Sequence, residues 1–153
     1  MSIAKKYEEL EILMNKNEDD KINEVFRSIL EETFNLVNEK IEKEQTLDVN
    51  NEEEAAAVRA MFEYMLELWD EQAVEEAKAV GYDMVYLVKD EKLKEMFSMF
   101  VIGMLAGLSL DEFFDGYVHS EKLYKDMFFT DFDDEIDSLV VKYKDKFKEE
   151  FSA

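Results

Sequence analysis

The run 96-MFSMFVIGMLAGL-108 decides the fold class, because it is the longest nearly apolar stretch of the chain. Its centre, residues 96–106, is apolar on every side of a helical wheel, which is typical of a buried helix. Asp90 before the run is a good N-cap residue, and Gly107 is a good helix stop. The run is shorter than the ~20 apolar residues that a membrane-spanning helix needs. It therefore predicts a helix buried in a bundle or in an oligomer.

Residues 51–81 predict another helix that is apolar around most of its circumference. Asn51 can cap its start, and Gly81 is a natural left-handed stop at its end. The polar side chains at its centre share one narrow stripe, formed by Arg59, Glu63, Glu67 and Asp70. We expect such a helix near the middle of the bundle, with the stripe either facing water or forming a buried polar site.

The amino-terminal third predicts two helices. Ser2 can cap the first, over residues 3–15, and the second runs over residues 19–45. Half of the second helix's wheel is apolar, with Ile22, Val25, Phe26, Ile29, Leu30, Phe34, Val37 and Ile41. This pattern is typical of a surface helix with one buried face.

The carboxyl-terminal third predicts the remaining helices. Ser109 and Glu112 fit a capping box, so a helix begins there, and we expect Gly116 and Ser120 to interrupt it before a further piece reaches Phe129. Thr130 is expected to cap the last helix. Residues 83–88 are too few to separate a short helix from an extended linker. The sequence thus predicts an all-α, single-domain bundle over residues 1–153, with six or seven helices and one central apolar helix.

Composition agrees with this fold and excludes several functions. The 153 residues include no proline and four glycines, while 47% are hydrophobic and 20 are aromatic, enough to form a core. The absence of cysteine excludes disulfides, thiolate metal sites and a cysteine nucleophile. The net charge of −21 is spread along the chain and disfavours nucleic acid and anionic membranes as partners. Residues 1–10 lack the features of a signal peptide, so we expect a cytoplasmic protein.

No set of residues predicts a reaction or a cofactor. The acidic residues Glu63, Glu67 and Asp70 give a weak alternative, a divalent-metal-dependent hydrolase of the all-α nucleotide pyrophosphohydrolase type. His119, the single histidine, follows Asp115 by one helical turn, the spacing of an oriented general base. A solvent-facing or helix-end histidine is the preferred interpretation of that pair.

An interaction role remains as the leading expectation. Gly103 and Gly107, four residues apart in the apolar run, would allow another helix to approach closely. Because two helices are apolar over most of their circumference, we predict a homodimer that buries one of them. Its interface is expected to include Met96, Met99, Phe100, Gly103, Gly107 and Trp69. The sequence thus suggests a protein–protein interaction or chaperone-like module, with an acidic nucleic-acid mimic as a further alternative.

Overall fold

A computed structural model describes residues 2–152 of the chain. These residues are 72% helical, with seven helices and no strands, which confirms the all-α prediction. The helices are α1 (Ile3–Asn15), α2 (Asp19–Glu42), α3 (Glu52–Asp70), α4 (Val74–Leu87), α5 (Glu91–Leu105), α6 (Leu110–Tyr117) and α7 (Ile136–Phe151).

The chain divides into two compact units, and the boundary between them falls within α3. Unit 1 comprises residues 1–61 and unit 2 comprises residues 62–153. The single-domain organisation therefore stays a prediction.

Unit 1 is built on the packing of α1 against α2. The predicted cap Ser2 is confirmed, since its side chain accepts a hydrogen bond from the Lys5 amide. Glu53, in the first turn of α3, accepts hydrogen bonds from the amides of Ile3 and Ala4 at 3.0 and 2.9 Å. These bonds satisfy amides that a helix start leaves unpaired. One buried core cluster of the unit comprises Ile3, Tyr7, Leu10, Ile29, Ala56, Ala57 and Ala60.

Unit 2 has α5 at its centre, where it packs against α4 and α7. The caps predicted for α5 and α6 are confirmed, because Asp90 accepts from two amides and Ser109 forms a capping box with Glu112. The core is aromatic, with Phe62, Trp69, Phe97, Phe100, Phe113 and Phe128 all buried. The apolar run that begins at Met96 therefore lies in the central helix of this unit.

The prediction of one helix from Asn51 to Gly81 is wrong, because α3 ends at Asp70 and α4 begins at Val74. The break is a Schellman motif at Gln72, which has φ 68°. Its two hydrogen bonds run from Gln72 N to Trp69 O and from Ala73 N to Leu68 O. The same motif at Glu44, with φ 54°, ends α2 at Glu42 rather than at residue 45.

Gly81 lies inside α4 and does not stop a helix, and residues 83–87 continue that helix. A Cβ at Gly81 would overlap Cγ2 of Val101, so the glycine lets α4 approach α5 closely. Gly107 does end α5 as predicted, with φ 77° and a Schellman motif of its own.

The segment between α6 and α7, residues 118–135, is not helical, so the predicted helical piece reaching Phe129 is wrong. Gly116 does not interrupt α6, and Thr130 does not cap α7, which begins at Ile136. Isolated bridges pair Val118 with Phe132 and Tyr124 with Phe128. We call this segment the α6–α7 loop.

Candidate functional site

The predicted polar stripe on α3 does not form a buried site. The Arg59 side chain is half-buried, and its guanidinium lies over the Tyr7 ring, 3.9 Å from the centroid. Glu63 is half-buried, while Glu67 and Asp70 are exposed. Within residues 2–152, no group of three or more Asp, Glu or His side chains could hold a metal ion. The structure therefore adds no support to the hydrolase alternative.

Four of the six residues predicted to form a dimer interface lie in the interior. Met96 and Phe100 are fully buried, and Trp69 is 3% exposed with its indole N–H bonded to the Leu108 carbonyl at 3.1 Å. Gly103 faces the Phe113 ring, so its missing Cβ serves packing within the chain. Met99 is half-buried and Gly107 is exposed. Both apolar helices are buried within one chain, so burying the second one does not require another copy.

A cleft of about 360 Å³ opens between the end of α3 and the start of α6. Its apolar lining includes Trp69 and Leu108, and its rim carries Asp70, Asp111 and Glu112. The Glu112 carboxylate already accepts the Ser109 amide in the capping box, and this hydrogen bond lowers the pKa of Glu112. The cleft therefore brings apolar and acidic groups together without a free set of ligands for an ion.

The clearest exposed apolar feature lies on α2. Leu30, Phe34, Val37 and Ile41 fall within about 60° of the helical wheel, at spacings of four, three and four residues. Val37 is buried and Leu30 half-buried, but Phe34 is 36% and Ile41 47% exposed. We call these four residues the α2 apolar stripe. The sequence pattern assigned these four residues to the buried face of the second helix. The second helix is much longer than the first, and this difference could have shown that the first helix is too short to cover the whole face.

The lengths of α1 and α2 explain why part of the α2 apolar stripe is exposed. At 1.5 Å per residue, the 13 residues of α1 span about 20 Å and the 24 of α2 about 36 Å. Lys6, near the start of α1, bonds Ser28 at 2.7 Å and lies 3.9 Å from Glu32. The first turns of α1 lie beside residues 28–32 of α2. The part of α2 that includes Ile41 therefore extends past the amino-terminal start of α1.

A buried ion pair ties α4 to α7 in unit 2. Lys78, 7% exposed, contacts Glu75 and Glu150 at 3.1 Å each, and Tyr82 donates its hydroxyl proton to Glu150 at 2.8 Å. Partial burial raises the pKa of Glu150, but the hydrogen bonds from Tyr82 and Lys78 outweigh it and leave the pKa lowered. Every charge in this group is paired, as expected of a structural rather than a catalytic cluster.

His119 lies beside two aspartates that the sequence did not pair with it. Its Nε2 is 3.2 Å from Asp133 Oδ2, and its Nδ1 is 3.4 Å from Asp131 Oδ1. Asp115, the predicted partner, is exposed on α6, which ends before the histidine. The relevant signal was the acidic run that begins at Asp131, which helical spacing could not connect to residue 119.

Comparisons with known proteins add no function. No protein family model, curated protein or solved structure matches this chain. Within residues 2–152, no helix is both long enough and apolar enough to cross a bilayer. The function must therefore be argued from the surface of the molecule itself.

Proposed function

We propose that this chain is a protein–protein interaction module that binds a basic amphipathic helix of another protein along the α2 apolar stripe. The observation that carries the proposal is the exposure of Phe34 and Ile41 on the helix face that also holds Leu30 and Val37. Side chains at such four- and three-residue spacings are the anchors by which one helix packs on another.

Charge selects the kind of partner. Between Leu30 and Glu42, the exposed charged side chains are all acidic: Glu31, Glu32, Glu39 and Glu42. Glu39 is paired with Lys43 at 2.6 Å, and Glu32 lies 3.9 Å from Lys6. The negative charge offered to a partner therefore comes mostly from Glu31 and Glu42. Lys40, half-buried, is held by Glu54 at 3.2 Å. A partner with lysine or arginine beside its apolar residues would gain from this field and from the net charge of −21.

A second copy of the chain is the rival occupant of the stripe. It would bring the same acidic residues and the same net charge to the interface, which opposes association most strongly at low salt. The homodimer stays a prediction on these grounds. A basic helix is the occupant that the charges favour.

The test uses synthetic helical peptides as probes. One peptide carries leucines at heptad positions and lysines beside them, and its control is a scrambled peptide of identical composition. We expect calorimetry at ~0.15 M salt to show tighter binding of the patterned peptide, by at least about tenfold, or ~1.4 kcal/mol. Equal binding of the two peptides would show a mere charge effect and overturn the proposal.

Variants locate the binding surface. The double variant Phe34→Ser with Ile41→Ser should weaken binding of the patterned peptide by about tenfold or more. The matched control replaces Tyr86 and Val141, which are 67% and 70% exposed in unit 2, by serine and should leave binding unchanged. Equal effects of the two double variants would contradict the assignment. Sedimentation equilibrium tests the rival occupant. If the chain is a dimer and only the Phe34→Ser, Ile41→Ser variant dissociates it, the α2 apolar stripe binds a second copy instead.

A further inference from the structure

The α6–α7 loop is unusually long for a connection inside a compact unit. It has 18 residues between the last residue of α6 and the first of α7, whereas loops beyond about 12–15 residues are uncommon and often functional. The loop is packed rather than extended into solvent, since Phe128 is fully buried and the Tyr124 hydroxyl donates to Asp90 at 2.6 Å. Its two ends meet at the bridge between Val118 and Phe132.

The base of the loop is held by a short antiparallel pairing. The His119 amide donates to the Asp131 carbonyl at 2.9 Å, and the Asp133 amide donates to the Tyr117 carbonyl at 2.8 Å. This pairing sets the His119 ring between the side chains of Asp131 and Asp133, at 3.4 and 3.2 Å. Side chains opposite or diagonal in such a pair interact directly.

The position of the ring between two carboxylates favours its protonated state. A neutral imidazole carries one N–H, so one ring nitrogen would turn a lone pair toward a carboxylate oxygen. The imidazolium ion carries two N–H groups and can donate to both aspartates. The hydrogen bond at Nε2 and the 3.4 Å ion-pair distance at Nδ1 therefore favour a positively charged His119.

We propose that His119, Asp131 and Asp133 form a pH-dependent clasp that closes the base of the α6–α7 loop when His119 is protonated and loosens it when the proton is lost. Asp131 and Asp133 are the charged groups that act on the imidazole. Phe132 lies between the two aspartates in sequence, and its ring packs 6.0 Å from Phe100 and 6.2 Å from Phe113. Loosening the clasp therefore releases the side chains of Asp131 and Asp133, which flank Phe132 and its contacts with the aromatic core.

The direction of the pH effect follows from the histidine. The hydrogen bond to Asp133 is the largest influence and raises the pKa of His119, desolvation lowers it by less, and the contacts with Asp131 add to the increase. Because the folded pKa is raised, and as long as both aspartates are ionised, the clasp is complete just below the unfolded value of about 6.5. It is lost as the pH rises through the folded pKa, so the loop base loosens toward neutral and alkaline pH.

The first measurement is an NMR titration of the imidazole, which needs no assignment because the chain has one histidine. We expect a pKa above about 6.5 that returns toward that value in the Asp131→Asn, Asp133→Asn double variant. Asp115→Asn, an exposed acid on α6, is the matched control and should leave the titration unchanged. An ordinary pKa in the unmodified chain would overturn the proposal.

The second measurement is hydrogen exchange of peptides covering residues 118–135, corrected for the intrinsic pH dependence of exchange. We expect protection of the loop base to fall across the pH range in which His119 titrates. In His119→Gln, whose side chain stays neutral, this step should be absent and the loop base should exchange faster at acidic pH. Identical pH profiles of hydrogen exchange for His119→Gln and the unmodified chain would overturn the proposal, because the protonation of His119 would then have no effect on the loop base.

Discussion

Unit 1 and unit 2 share the helical pattern but differ in the size of their core side chains. Three of the seven residues in the buried cluster between α1, α2 and the start of α3 in unit 1 are alanines, at positions 56, 57 and 60. The core of unit 2 includes six aromatic residues among its aliphatic and methionine side chains, and these rings contact each other mostly edge to face. Each Phe or Trp buries 150–250 Å², roughly 4–6 kcal/mol at about 25 cal/mol per Å². We therefore expect unit 2 to be the more stable unit.

Two further features of unit 1 agree with this difference. Thr33 Oγ1 is, among residues 2–152, the buried side-chain oxygen without a hydrogen-bond partner, a situation that costs about 1–3 kcal/mol. Unit 1 also leaves Phe34 and Ile41 exposed on α2. Segments of low local stability are those from which binding elements are usually drawn. The proposed binding surface therefore lies on the unit whose buried cluster contains the smaller side chains.

The largest expected effect comes from Phe100→Ala in unit 2. The Phe100 ring contacts Phe62 and Phe113 at 5.2 and 5.0 Å between centroids, and Trp69 at 6.3 Å. Its removal should lower the free energy of unfolding by about 3–5 kcal/mol. Urea unfolding monitored by fluorescence of Trp69, the only tryptophan, measures this in unit 2 directly.

Ile29→Ala, at a fully buried position of α2, is the corresponding change in unit 1. We expect it to lower the midpoint of the helical circular dichroism transition while the Trp69 transition moves little. If Ile29→Ala shifts the Trp69 midpoint as far as Phe100→Ala does, the two units unfold as one cooperative structure. The comparison between them would then have no energetic meaning.

Local signals in the sequence predicted much of this fold. Ser2, Asp90, Ser109 and Gly107 mark helix ends correctly because a cap depends on residues within one turn of it. Gln72 and Glu44 end helices in a left-handed conformation that nothing in their own chemistry favours, so those ends were missed. The tertiary structure selects them.

Contacts between distant residues account for the rest. Phe128 and Phe132 fit a helical pattern, but their burial comes from the aromatic core and leaves residues 118–135 as a loop. The proximity of His119 to Asp131 arises because the chain turns back on itself at Tyr124 and Phe128. Periodicity within one helix carries no information on such a return, so the aspartate pair could not be predicted.

Alanine substitutions at two glycines of unit 2 are expected to have the next largest effects on the free energy of unfolding. A Cβ at Gly103 would lie 2.5 and 2.7 Å from carbons of the Phe113 ring, so Gly103→Ala should cost about 1–3 kcal/mol through overpacking. Gly116 lies in α6 with nothing within 4 Å of such a Cβ, and Gly116→Ala should add about 0.5–1 kcal/mol. Both are measured by the Trp69 transition in urea. A neutral Gly103→Ala would mean that the Phe113 ring moves aside and that the core of unit 2 is loosely packed.

The smallest effect is the most direct test of whether the units are separate. Gln72 in unit 2 and Glu44 in unit 1 each hold a left-handed conformation that a side chain disfavours by about 1–2 kcal/mol. Glycine removes this cost but gains about 0.5–1 kcal/mol of conformational freedom in the unfolded chain, so each substitution should stabilise by up to about 1 kcal/mol. Gln72→Gly should raise the Trp69 midpoint, whereas Glu44→Gly should raise only the part of the circular dichroism transition that Trp69 does not follow. If Gln72→Gly and Glu44→Gly shift the Trp69 midpoint equally, the two units unfold as one cooperative structure. A loss of stability in either variant would show that its side chain makes a contact worth more than the strain.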